Sequence, residues 1–259
     1  TDEINTGSTD NCTEEASLVM SLDISTFTCA DIGENEVTLN VEDASGNSAS
    51  ANVTVTVVDT MLPRAIANDI TLQLDAAGNA TITTADINNG STDNCTAIAD
   101  LTISLDKTTF DCTNTGVNTV TMTVIDGSNN ETTASAVVTI VDNIAPIAVA
   151  QDVTVTLNGG NNVSIVPEDI NFGSSDACGV TLSLDMSTFT DNQLGDHIVT
   201  LTVEDNSGNT SMATATVIVI DKTLQTISFD AITDKIFGDA DFDLEASAST
   251  ESPIVFSVL

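Results

Sequence analysis

The stretch INNGSTDNC at residues 87–95 decides the fold, because it is one of three copies of a single block. The other copies are INTGSTDNC at residues 4–12 and INFGSSDAC at residues 170–178, so each step is 83 residues (87 − 4 and 170 − 87). Self-similarity at a fixed period is typical of repeat architectures. One unit of about 80 residues is large enough to form a small domain.

Further blocks recur with this period and set the domain boundaries. The closing block of each unit is Val57-Val58-Asp59, Ile140-Val141-Asp142 or Val219-Ile220-Asp221. We therefore predict a partial repeat at residues 1–62, complete repeats at 63–142 and 143–222, and part of a different module at 223–259. Because the chain begins and ends within a unit, we expect it to be part of a longer protein.

Strict alternation of apolar and polar residues predicts β-strands. It is seen at residues 53–57, 120–124 and 199–203, and turns rich in Gly, Asn and Asp separate such segments. Short strands at this spacing are typical of immunoglobulin-like β-sandwiches. The sequence thus predicts an all-β chain of tandem Ig-like β-sandwich repeats in a linear array, with Phe27, Phe110 and Phe189 in equivalent core positions.

Composition excludes several classes of function. The chain has 39 acidic residues, 4 Lys or Arg and one His, for a formal net charge of −35. Phosphate binding depends on Lys and Arg, so nucleic acid is excluded as a partner. We also expect no direct membrane insertion, because no run of 18 apolar residues exists. The negative charge keeps a threonine-rich β array soluble and opposes pairing of sheet edges.

Repeat topology predicts that acidic side chains from three segments meet where neighbouring units join. In a linear tandem, the last strand of a unit ends at its trailing pole, so the preceding hairpin has its tip at the leading pole. We expect convergence at two joints: Asp59 with Asp93 and Asp126, and Asp142 with Asp176 and Asp205. Calcium takes six to eight oxygen ligands, so Ca²⁺ at these joints is the metal hypothesis. The alternative is that these residues only cap turns, and no EF-hand loop is present.

Catalysis is not expected, so we predict that the chain is not an enzyme. His197 is the only histidine, and a Ser-His-Asp triad could form only around it. It stands just before a predicted strand, and the equivalent positions of the other units are Glu36 and Thr119. We therefore expect a surface histidine.

The repeat resembles a known family. A Thr-Asp-Asn-Cys block, a Phe, a Val-x-Leu-x-Val-x-Asp-x-Ser-Gly-Asn segment and a last strand ending in Val-Asp before Pro are similar to hyalin-like (HYR-like) Ig-type repeats of giant Bacteroidota surface proteins. Residues 225–244 resemble the start of an MBG-type repeat. The resemblance implies an extracellular, cell-surface location, export by type IX secretion, and contact with the motility and secretion machinery.

Function follows from this resemblance as an expectation. It implies a structural and adhesive segment of a long extracellular filament that attaches to surfaces or polysaccharides, in gliding motility. The alternative is a spacer or carbohydrate-binding region of a secreted enzyme. That reading is disfavoured because the chain has no Trp or Tyr for stacking on sugars. Ice binding by threonine rows is a third option, which strand twist disfavours.

Five cysteines follow a plan of two per unit with one loss. Cys12 and Cys29 are 17 residues apart, as are Cys95 and Cys112. We predict the disulfides Cys12–Cys29 and Cys95–Cys112, each worth roughly 3 kcal/mol in the chain-entropy model. Free buried thiols are the alternative, and zinc is disfavoured because CxxC spacing is absent. Asp191 replaces the partner of Cys178, so we expect Cys178 to be a buried thiol.

Overall fold

The structure is a computed structural model that describes residues 4–157, 161–222, 226–229, 231, 234–238 and 246–249. The chain divides into two compact units, Thr1–Asn143 and Ile144–Leu259. The first unit contains the predicted first and second repeats. The second unit contains the predicted third repeat and the residues that follow it.

The first repeat forms one antiparallel sheet. Its strands are β1 (Val19–Leu22), β2 (Gly33–Glu42) and β3 (Ser48–Val57), in the order β1-β2-β3. Turns of 3₁₀ helix precede β1 and β2, at Glu15–Ser17 and Cys29–Asp31. The side chain of Thr28 accepts a hydrogen bond from the Ala30 amide, which caps the second of these turns.

The second repeat has six strands in two sheets. They are β4 (Ile70–Gln73), β5 (Asn79–Thr81), β6 (Thr102–Leu105), β7 (Thr109–Asp111), β8 (Gly116–Ile125) and β9 (Glu131–Val141). One sheet has the order β4-β9-β8-β6, in which β4 is parallel to β9, and the other pairs β5 with β7. A one-turn helix, α1 (Thr84–Ile87), and 3₁₀ turns at Ile98–Asp100 and Cys112–Asn114 join the strands.

The third repeat has the same order of elements. Its strands are β10 (Val153–Leu157), β11 (Asn162–Ser164), β12 (Val180–Leu184), β13 (Thr188–Thr190), β14 (Gly195–Asp205) and β15 (Thr210–Asp221). The sheets are β10-β15-β14-β12 and β11-β13, with α2 (Pro167–Ile170) and a 3₁₀ turn at Asp191–Gln193. Two short strands, β16 (Ile227–Phe229) and β17 (Ala246–Ala248), pair after it.

Side chains of both sheets form the core of each complete repeat. In the third repeat, Leu157, Phe189, Leu201 and Val217 belong to one buried cluster, and they come from β10, β13, β14 and β15. Phe110 and Phe189 are 3% and 0% exposed, which confirms them as core residues. A two-layer sandwich of alternating strands follows, so the predicted all-β, Ig-like fold class is confirmed.

Phe27 is an exception to the predicted core. It is 36% exposed. Phe110 lies opposite Ala80 in the β5–β7 pair and Phe189 lies opposite Val163 in the β11–β13 pair. Among the described residues of the first repeat no such second sheet is present, so nothing covers Phe27, and the prediction that it fills a core was wrong.

Strand register fixes which ends of the second repeat lie at which pole. At its start, β8 pairs Gly116 with Ile140, near the end of β9, and at its end it pairs Ile125 with Glu131. The tip of the β8–β9 hairpin therefore lies at the leading pole. Asn129 has φ = 68° in this tip, where the other repeats have Gly46 and Gly208 at φ of 87° and 88°. Asn is a side chain that tolerates the left-handed region.

The predicted boundaries at 62, 142 and 222 stay predictions, although no sheet crosses them. The MBG-like module at 223–259 falls mostly on residues outside those that the structure describes. The helices of the described residues are too short to cross a membrane.

Candidate metal centre

Three acidic side chains meet where the first and second repeats join. Asp59 follows β3, Asp93 lies in the loop between α1 and β6, and Asp126 follows β8. A carboxylate oxygen of each lies within 4.8 Å of one from each of the other two. The structure therefore brings together all three residues that the sequence assigned to this joint.

The hairpin tip holds Asp126 rigidly. Its side chain is 5% exposed. Its Oδ1 accepts hydrogen bonds from the Ser128 amide at 2.9 Å and the Asn130 amide at 2.8 Å, and its Oδ2 accepts one from Asn130 Nδ2 at 2.7 Å. These bonds fix the direction of the carboxylate before any ion binds.

Asp93 uses one carboxylate oxygen for its own loop. Its Oδ2 accepts hydrogen bonds from the Cys95 amide at 2.8 Å and the Thr96 amide at 2.7 Å. Burial raises the pKa of Asp93, but the amides of Thr96 and Cys95 lower it further, so its pKa lies below the usual 3.8. The carboxyl is therefore charged at neutral pH. Its Oδ1 is buried and has no hydrogen-bond partner.

Asp59 brings the first repeat to the site. Its Oδ1 accepts a hydrogen bond from the Met61 amide at 3.1 Å, while its Oδ2 is buried without a partner. Its backbone carbonyl accepts a hydrogen bond from Asn130 Nδ2 at 3.1 Å. The amide of Asn130 thus links the end of β3 to the β8–β9 hairpin of the next repeat.

The chemistry of this group fits a hard cation. A buried carboxylate oxygen with no donor carries a large desolvation cost, and here two such oxygens, from Asp59 and Asp93, belong to one cluster. Three nearby carboxylates also repel one another. Ca²⁺ satisfies oxygen ligands of this kind and would cancel most of their charge.

A disulfide lies beside the carboxylates. Cys29, in the trailing turn of the first repeat, is bonded to Cys95 of the second repeat, with 5.0 Å between their Cα atoms. The predicted pairs Cys12–Cys29 and Cys95–Cys112 were therefore wrong. The bond closes a loop of 66 residues, which the chain-entropy model values at about 4 kcal/mol.

The poles of the sandwich explain the correction. Cys95 follows Asp93 at the leading pole, where Thr96 Oγ1 accepts a hydrogen bond from the Gly127 amide at 2.9 Å. Cys112 lies just before β8, at the trailing pole. These poles are separated by the ten residues of β8, or about 33 Å of extended strand. A bond within the repeat is therefore impossible.

The other cysteines also differ from expectation. Cys112 and Cys178 are each disulfide-bonded, so the prediction that Cys178 is a thiol was wrong, although it is buried with 7% exposure. Cys12 is a free, exposed cysteine. Disulfides are thus present, but with a connectivity that the sequence reasoning did not find.

The residues predicted for the second joint are described singly. Asp142 is 7% exposed at the end of β9. Asp176 accepts a hydrogen bond from the Cys178 amide at 2.7 Å. Asp205 is 4% exposed and accepts from Ser207 and Asn209 as Asp126 does from Ser128 and Asn130. Burial raises the pKa of Asp205, but the Asn209 side chain and amides lower it overall. Their convergence stays a prediction.

His197 lies within β14 rather than before a strand. It is half-buried, its Nε2 donates a hydrogen bond to the Gln193 carbonyl at 2.8 Å, and its ring centroid is 5.4 Å from that of Phe189. The histidine therefore packs against a core residue, contrary to the expected surface position.

Comparison with known proteins gives structural similarity at a low level. No protein-family model matches the chain, and no curated protein matches it significantly. Cadherin domains 1–4 of protocadherin gamma B7 match at 13% identity and a TM-score of 0.33, covering 85% of this chain and 71% of that one.

Two further structures match similarly. The protocadherin gamma B4 ectodomain matches at 16% identity and a TM-score of 0.38, with coverage of 88% and 47%, and Drosophila N-cadherin domains 1–4 match at 14% and 0.30, with 72% and 57%. Such scores carry no information on the function of this chain.

Proposed function

We propose that this chain is a structural and adhesive segment of a long extracellular filament at a cell surface. The observation that carries the proposal is the joint of the first two repeats, where a disulfide and three convergent carboxylates connect successive modules. Disulfides persist in oxidising, extracellular surroundings. A chain whose modules are joined in this way extends reach and resists bending.

Calcium is the cofactor of this proposal. The ion would be held by Asp59, Asp93 and Asp126, whose unpartnered oxygens come from two different repeats. Binding would join the carboxylate after β3 to two carboxylates of the next repeat, and so stiffen the joint. By repeat equivalence we assign the same role to Asp142, Asp176 and Asp205.

Thermal melting tests the calcium assignment. We expect the melting temperature to rise by several degrees in millimolar calcium and to fall again when a chelator is added, because an ion bound only by the folded joint stabilises it. Magnesium at equal concentration controls for ionic strength. A melting temperature that does not change with calcium or chelator would refute a calcium-dependent joint.

Adhesion is the finer part of the proposal. The resemblance to Bacteroidota gliding adhesins supports attachment to surfaces or polysaccharides, with the motility and secretion machinery as further partners. The test compares attachment of cells with the intact surface protein and with residues 63–222 deleted. Reduced attachment and binding of the purified chain to a glycan array would support adhesion. Unchanged attachment would leave these modules as spacers in the filament.

A further inference from the structure

The leading end of the first repeat carries the same three groups that form the joint one repeat later. Asp10, Cys12 and Asp43 stand 83 residues before Asp93, Cys95 and Asp126. Each of these later residues takes part in the contact with the preceding repeat, through the disulfide or the carboxylate cluster. The first repeat therefore presents one half of a joint.

Local geometry at this end matches the occupied joint. Asp10 Oδ2 accepts hydrogen bonds from the Cys12 amide at 2.8 Å and the Thr13 amide at 2.7 Å, the distances seen at Asp93. Asp43 accepts from the Asn47 amide and side chain, each at 2.8 Å, as Asp126 does from Asn130. A groove of about 340 Å³ lies beside both carboxylates. The half-joint is thus formed in advance.

Disulfide bonding gives an independent reason to expect a partner. Cys95 and Cys178, the counterparts of Cys12 in the next two repeats, are both disulfide-bonded, whereas Cys12 is an exposed free thiol. In the one bond whose partners are defined, the second cysteine belongs to the trailing turn of the preceding repeat. The chemistry of the position is therefore that of a disulfide to another module.

We propose that the surface formed by Asp10, Cys12 and Asp43 docks the trailing end of another module of this type and becomes disulfide-bonded to it through Cys12. The partner must carry a cysteine in a trailing turn like Thr28–Asp31 and a carboxylate after its last strand, as Asp59 does. Formation of the bond converts two thiols to one disulfide, and molecular oxygen or a periplasmic thiol oxidase takes up the two electrons and two protons.

A second copy of this chain cannot supply that cysteine. Cys29 and Cys112 are already disulfide-bonded, and Asp191 occupies the equivalent position of the third repeat. The partner is therefore a different module, placed before residue 1 of the same polypeptide or on another chain. The inference shares the joint geometry with the proposed function, but its test reads disulfide connectivity and is independent of calcium and adhesion.

An extended chain tests the proposal. Placing a copy of residues 63–166 before residue 1 adds a complete repeat and puts the added copy's Cys112 66 residues before Cys12, as Cys29 is before Cys95. Non-reducing peptide mapping should show a bond between that added cysteine and Cys12, with one free thiol left per chain. Cys12→Ser is the control and should leave two free thiols.

A second extension guards against misfolding of the first. A copy of residues 1–83 before residue 1 gives the same separation of 66 residues, this time from the added copy's Cys29. The native Cys29–Cys95 peptide in the same digest reports correct folding. A correctly folded extended chain in which Cys12 stays free, or a covalent homodimer of the original chain through Cys12, would overturn the proposal.

Discussion

At the scale of single residues, the joint divides the work of each carboxylate between its two oxygens. In Asp59 and Asp93 one oxygen accepts hydrogen bonds from nearby backbone amides, while the other is buried without a donor. The first oxygen sets the orientation and the second is left for a ligand. This arrangement is costly without a cation and favourable with one.

The variant Asp59→Asn should change stability in opposite directions with and without calcium. Asn retains an acceptor for the Met61 amide but removes one of three negative charges. In chelator we expect a gain of about 1 kcal/mol after solvent screening, because repulsion falls. In calcium we expect a loss, because one ligand is weakened. Chemical denaturation of the full chain measures both.

The matched control for this experiment is Asp106→Asn. Asp106 accepts a hydrogen bond from the Thr121 amide at 2.8 Å, in the middle of the sheet and away from the joint. It makes the same change of charge and should shift stability equally with and without calcium. A shift of one sign under both conditions for Asp59→Asn would argue against an ion at this position.

Acid should destabilise the third repeat through Asp185. The amide of Thr200 donates to Asp185 Oδ1 at 2.8 Å and, against a small opposing effect of burial, holds the pKa of Asp185 below 3.8. Its stabilising effect is complete above the unfolded pKa and is lost as pH falls through the lowered folded pKa. Melting from pH 5 to pH 2 should therefore fall less steeply for Asp185→Asn.

The exposed residue Asp196 supplies the control for the acid experiment. Asp196→Asn makes the same charge change on β14 and should leave the acid slope of the wild type in place. Equal slopes for Asp185→Asn and the wild type would contradict the assigned role of the Thr200 amide.

At the scale of elements, the short second sheet decides which aromatic side chains are buried. Phe110 is covered through the β5–β7 pair, and Phe27 has no equivalent pair among the described residues. We expect Phe110→Ala to cost about 3–5 kcal/mol of unfolding free energy and Phe27→Ala well under half as much. Urea denaturation of the full chain compares them. Equal costs would show that Phe27 is buried in solution.

The loop that holds Cys95 also holds Asp93, so the disulfide and the metal site are mechanically linked. Cys95 donates its amide to the very carboxylate that faces the ion. Breaking the bond with the double variant Cys29→Ser and Cys95→Ser should weaken calcium binding about tenfold, as loss of a supporting group does at other metal sites. Calcium titration of the variant measures the change, and unchanged affinity would show that the two are independent.

At the scale of the whole molecule, the repeat predicted most of the fold. Alternating residues and an exact period are local signals, so strands and their order could be predicted from them. Convergence of Asp59, Asp93 and Asp126 was also predictable, because strand direction alone decides which loops share a pole. The same rule places Cys95 beside Asp93, but pairing by the shorter sequence distance of 17 obscured it. The exposure of Phe27 depends on the missing second sheet, which no local pattern reports.

Two connections in parallel should protect the segment between the first two repeats from proteolysis. Met61 and Leu62 are 62% and 64% exposed, yet they are flanked by the disulfide and the carboxylate cluster. We expect slow chymotrypsin cleavage after Leu62 when either calcium or the disulfide is removed, and fast cleavage when both are removed. Electrophoresis after reduction measures it. Fast cleavage with both connections intact would contradict a stiff joint.

Calorimetric titration of calcium into the full chain tests the central claim most directly. The account predicts saturable binding to the wild type and to Asp106→Asn, and the loss of one binding site in the double variant Asp59→Asn and Asp93→Asn. Binding that is identical in all three proteins, or absent from the wild type, would contradict a calcium site at the joint of the first two repeats.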